Sequence, residues 1–99
     1  MKVFVIVSGE VQGVSFRSFA RKLAQEFNLR GLVRNALDGT VELFLDGEQN
    51  AIDKFIQMVK QRKSNGFFAM NVKEVRVFQE GENYFKPAWR EYTNFEIDF

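Results

Sequence analysis

GEVQGVSFR, residues Gly9 to Arg17, joins an apolar strand to an amphipathic helix through a glycine-bracketed loop that ends in arginine. Upstream, Lys2-Val3-Phe4-Val5-Ile6-Val7 has the length and β-branched composition of a strand buried on at least one face. Downstream, Phe16, Phe19, Ala20, Leu23, Ala24 and Phe27 recur at helical spacing. Backbone N–H groups in such a loop and in the first helical turn point at whatever anion sits there, and the helix dipole favours its charge. Arg17 adds a planar, permanently charged fork. The stretch reads as a pocket for a phosphate-like anion, with a plain connection and a solvated arginine as the alternative.

Beyond the helix, Asn28-Leu29-Arg30-Gly31 carries helix-ending chemistry and Leu32-Val33-Arg34-Asn35 resumes a strand. Asp38-Gly39 is a hairpin signal, and Val41, Leu43 and Leu45 then alternate with Glu42, Phe44 and Asp46. Gly47 closes that strand. Asn50 is expected to cap a second helix whose apolar stripe is Ile52, Phe55, Ile56 and Val59. Its basic end, Lys60-Gln61-Arg62-Lys63, suits the negative helix terminus, with phosphate handling as the alternative. Ser64-Asn65-Gly66 breaks this helix, and Val72 to Phe78 reads as another strand. Gln79 to Thr93 shows no period, and Phe95 to Phe99 alternates as a short last strand.

The order is βαββαβ plus a short C-terminal strand, the split β-α-β unit used twice. The expected fold is an α+β two-layer sandwich: an antiparallel sheet with both helices on one face and the other face partly solvated. The first loop and the residues near Asn35 are expected to meet at one edge.

Ninety-nine residues, 45% of them hydrophobic, make one domain, expected to span 1–99. A net charge of +1 does not suggest nonspecific nucleic-acid binding by the whole surface. With no cysteine, disulfides and thiolate chemistry are excluded; with no histidine, the usual neutral-pH base and the commonest zinc ligand are missing. The first residues lack a cleavage-like small-residue site, so a cytoplasmic location is expected. No apolar run approaches the roughly 20 residues that cross a bilayer.

GEVQGVSFR followed by GLVRNALDGTVE, Gly31 to Glu42, resembles the acylphosphatase family at both of its characteristic blocks, in order and at a plausible separation. The resemblance covers Val3 to about Val59 well, and FEIDF looks like the family's final strand. It implies a ferredoxin-like domain hydrolysing the carboxyl–phosphate anhydride of small acyl phosphates to carboxylate and orthophosphate, without metal or other cofactor. It further implies that the phosphoryl group is held by Glu10, Val11, Gln12, Gly13, Val14, Ser15, Phe16 and Arg17, and that Asn35 positions the attacking water. A monomer without nucleic-acid or membrane partners is the expectation.

The chemistry is coherent with that residue set. An acyl phosphate carries a good leaving group, so an enzyme need only hold the phosphoryl oxygens, stabilise redistributing charge and aim a water. An asparagine amide orients water but is no base at neutral pH. Read from its residues alone, Asn35 is first a hairpin or strand-end asparagine satisfying local backbone, Gln12 either fixes the loop or faces water, and Ser15 has a hydroxyl that could contact phosphate but no base to make it a nucleophile. Asp38-Gly39 is structural.

Three places depart from the family pattern: Leu32 stands where an aromatic is common, and both Lys63 to Met70 and Gln79 to Tyr92 are unlike the usual connections. Phe67, Phe68, Tyr84, Phe85 and Trp89 suit core or loop packing, with an apolar wall for an acyl group or a partner surface as alternatives. A noncatalytic ferredoxin-like module binding a phosphorylated metabolite or RNA is the competing function. The aromatic block that RNA-binding sheets display is missing.

Overall fold

The β-branched run from the first residues forms β1 (Lys2–Glu10), which leads through the glycine loop into α1 (Phe16–Glu26). There follow β2 (Arg30–Asn35), β3 (Val41–Asp46), α2 (Gln49–Lys60), β4 (Asn71–Gln79) and β5 (Phe95–Asp98). The computed structural model describes residues 1–13, 15–62, 70–88 and 91–98. Val14, the Ser64-Asn65-Gly66 break, Phe67, Phe68 and Trp89 lie outside the described residues.

The strands form one sheet in the order β4-β1-β3-β2-β5. The four long strands pair antiparallel, as their order implies, and β5 joins β2 in parallel, making the five-stranded sheet mixed. This addition sets Asp98 beside Arg34 and Ile97 beside Val33. The ends of β1, β2 and β5 and the start of α1 are thereby gathered at one end of the sheet.

Local sequence explains where the helices stop and start. Asn28 takes the left-handed conformation at φ 57°, while its N–H bonds Gln25 O and that of Leu29 bonds Ala24 O, so the last turn of α1 is closed by the chain that leaves it. Asn50 does not cap α2. The helix begins two residues earlier than that cap would allow, at Gln49, with extended Glu48 at the cap and the Glu48 carbonyl already receiving Ile52 N–H.

One face of the sheet packs Val3, Val5, Val7, Val33, Leu43 and Leu45 against Phe16, Ala20, Leu23, Ile52, Phe55 and Val59 of the helices. The opposite face is partly solvated as expected, with Glu74 and Arg76 exposed on β4, but its centre is covered. Phe4, Leu32 and Phe44 are buried there beneath Tyr92, with Ile6, Phe78, Phe85 and Ala88 packed around them. The segment after β4 folds back as a strap over this face, where the cross-strand partners Phe4 and Phe44 meet as tilted rings with centroids 5.1 Å apart. Each such side chain taken from water contributes about 1.5–3 kcal/mol. Phe85 thus serves as packing, whereas Tyr84 is exposed.

Candidate active site

Between Ser8 and Gly9 the β1–β4 register shifts, and Gly9 takes φ 127° while still paired with Val72 of β4. A side chain there would meet the Asn71 carbonyl at 2.2 Å, so only glycine passes this close to β4. The loop then takes positive φ at Gly13 (72°) and at Ser15 (65°), the cap residue of α1. Ser15 makes no side-chain cap bond, so it leaves the first-turn N–H groups of α1 unserved by its own hydroxyl. A left-handed non-glycine residue at this point is backbone strain at the mouth of a recess.

Two recesses adjoin at Arg17. One, of about 260 Å³, is lined by Val11, Gly13, Ser15, Phe16, Arg17, Ser18 and Ile97. The other, of about 400 Å³, is lined by Arg17, Arg34, Asn35 and Asp98. Arg17 is steered by β5, its Nη1 donating to the Asp98 carbonyl at 3.0 Å. Asn35 ends β2, and its Oδ1 is buried with no hydrogen-bond partner among the described residues. A buried polar atom left in that state calls for a partner that the described residues do not supply.

Gln12 ties the two halves together. Its Nε2 donates to the carbonyls of Ala36 and Thr40, both at 2.8 Å, lashing the loop to the hairpin that carries Asn35. The hairpin is stiffened in turn by Asp38, which accepts from Thr40 Oγ1 at 2.6 Å and from Thr40 N at 3.0 Å. These bonds, the hydroxyl's first, hold the Asp38 carboxyl below its ordinary 3.8.

Of the residues singled out from sequence, Val11, Gly13, Ser15, Phe16 and Arg17 are brought around one recess, and Arg17 and Asn35 around the other. Val11 and Phe16 bury their side chains in the core, which leaves their backbone for an anion. Glu10, exposed at the end of β1, and Gln12 line neither recess; Val14 lies outside the described residues. Arg34 and Asp98 were not singled out. Arg34 is flagged only by standing next to Asn35, and Asp98 only by the parallel pairing of β5, which no local pattern announces. Among the described residues, no three acidic side chains gather as a metal site would need.

Fold and recesses define a small α+β domain organised around the loop between its first strand and first helix. The acylphosphatase family model matches residues 3–97, and the chain belongs to that family. An acylphosphatase of Treponema denticola is 34% identical over 95 residues, 95% of this chain and 88% of that one. The acylphosphatase of Archaeoglobus fulgidus is 46% identical over 56 residues, which span 57% of this chain and 63% of that relative. The crystal structure of acylphosphatase from Bacillus subtilis superposes with a TM-score of 0.77 at 30% identity, covering 99% of this chain and 98% of that one. The ferredoxin-like arrangement expected from the element order is shared with that structure.

Proposed function

We propose that this protein hydrolyses acyl phosphates to carboxylate and orthophosphate, with loop amides 10–16 and Arg17 holding the phosphoryl group and Asn35 placing the water. The observation that carries this reading is the buried Oδ1 of Asn35, without a hydrogen-bond partner among the described residues, in the recess it shares with Arg17. A water that donates to Oδ1 is held with a lone pair available for the phosphorus beside Arg17. The P–O bond to the acyl group breaks as the new P–O bond forms. The carboxylate departs with the electron pair, and the protons of the water remain with phosphate. Arg17 and the loop N–H groups meet the phosphoryl oxygens without reorganising.

Neither histidine nor cysteine is available, and the reaction as written needs neither and calls on no metal or cofactor at any step. It acts on a small molecule, as a cytoplasmic monomer, without nucleic acid or membrane. Among the described residues no helix is long and apolar enough to cross a bilayer.

The test is hydrolysis of benzoyl phosphate in chelator by the protein and by its Arg17→Ala and Asn35→Ala variants. Turnover should persist in chelator and fall by about 10²–10³ in each folded variant. Saturable phosphate binding without turnover would make this a binding module instead, and a fully active Asn35→Ala protein would remove the water-placing role.

A further inference from the structure

Arg34 and Glu42 face each other across the β2–β3 pair, Arg34 Nε donating to Glu42 Oε1 at 2.9 Å. The Glu42 side chain is only 10% exposed, and Lys86 of the strap brings its Nζ within 3.9 Å of Oε2. On its other side Arg34 stands beside Asp98, and it lines the recess of Arg17 and Asn35. As a plain staple between β2 and β3, a buried ion pair is weak evidence of stabilisation. Its place at the recess asks for another account.

We propose that Arg34 is a second cation for the phosphoryl dianion and that Glu42 is the positioning residue that holds it at the recess. The inference rests on the acyl phosphate reading above. An acyl phosphate brings close to two negative charges to a recess whose lining carries Arg17, Arg34 and one carboxylate, that of Asp98. Arg34 leaves that set with net positive charge. A nearly buried carboxylate this close to an anion site would by Coulomb's law only repel substrate. Its presence is explained if the orientation it imposes on Arg34 is worth more than the repulsion, with Lys86 offsetting part of its charge.

These two effects of Glu42 have opposite signs, which makes the proposal testable by steady-state kinetics on acetyl phosphate. Arg34→Gln should raise KM about tenfold while changing kcat far less, the pattern of lost binding shared by ground and transition states. Its KM should also depend less on salt. Arg34→Lys, restoring the charge, should lie between that variant and the parent. Glu42→Leu should raise KM although it removes a negative charge, and Glu42→Gln, which returns an acceptor to Nε, should bring KM back down.

An unchanged KM in Arg34→Gln overturns the role of Arg34, and a KM in folded Glu42→Leu at or below that of the parent overturns the role of Glu42. If Glu42→Leu does not fold, Glu42→Thr decides in its place, since its side chain suits a strand but is too short to reach Arg34: KM must rise, the rise must vanish in an Arg34→Gln background, and a KM at or below that of the parent overturns the role of Glu42. If the parent turns over no acyl phosphate, the reading above fails on its own account. Orthophosphate titration of the parent and Arg34→Gln by NMR then tests this one, with equal affinity overturning it.

Discussion

Asn35 is a residue whose stability and function pull in opposite directions. Leaving a buried polar atom unpaired costs about 1–3 kcal/mol, and Oδ1 of Asn35 has no partner among the described residues. Asn35→Ala should therefore be neutral or stabilising in urea denaturation while kcat falls by about 10²–10³. A variant that lost stability by more than about 1 kcal/mol would show that Asn35 holds the hairpin instead. Asp38, three residues on, is purely structural and can be tested by titration. Its folded pKa is depressed, so the stability it contributes is present above 3.8 and is lost as pH falls through the lower folded value. NMR titration should place its midpoint below 3.8, and Thr40→Val, which deletes the shorter of its two bonds, should move the midpoint back up. A midpoint indifferent to Thr40→Val would mean that the hydroxyl bond is not made in solution. Arg17 was legible at this scale because glycine and arginine at a strand-to-helix junction carry a mechanism of their own. Arg34 was not, because strand alternation assigns it to the face opposite Asn35 and says nothing of a recess at the strand's end.

Among elements, the loop and the β2–β3 hairpin behave as one body because Gln12 bridges them. Its two bonds are partly buried and reach carbonyls on either side of the turn. Gln12→Ala should cost about 1–3 kcal/mol, the worth of two ordinary hydrogen bonds, and should lower kcat more than tenfold, because Asn35 and Arg17 then sit on parts free to shift against one another. Equal loss of stability without any loss of kcat would confine Gln12 to stapling. Most of the elements were readable: Asp38-Gly39 announced the hairpin, and the periods of two and of about 3.6 announced β3 and both helices. The start of α2 was misplaced because Asn50 is the better cap by type, while the backbone bends at Gly47 and is already helical from Gln49. Partnering across space, Gln12 with Ala36 and Thr40 or Asp98 with Arg17, has no local signature.

For the whole molecule, the strap after β4 is what a reading of the chain alone misses. Its residues show no period because they follow neither a helix nor a ladder; they are matched to the aromatic face that Phe4, Phe44 and Phe78 present. The strap is held mainly by what it buries. Its Glu91–Lys2 ion pair is solvent-exposed and contributes little. Under it remains a recess of about 280 Å³ lined by Phe44, Phe85, Ala88 and Tyr92 among others. Tyr92, buried against Phe4, Leu32 and Phe44, is therefore the anchor. Tyr92→Ala should destabilise by about 3 kcal/mol, lowering the melting temperature by roughly 4–8 °C per kcal/mol for a domain of this size. It lies on the sheet face away from the helices and the loop, so kcat of the folded protein should stay within about twofold. Hydrogen exchange should quicken first in the strap and last in β1 and β3, which have a partner on either side. A Tyr92→Ala protein as stable as its parent would show that the strap merely rests on the sheet; one that lost kcat in proportion to stability would show that the two faces of the sheet are a single cooperative unit with the site.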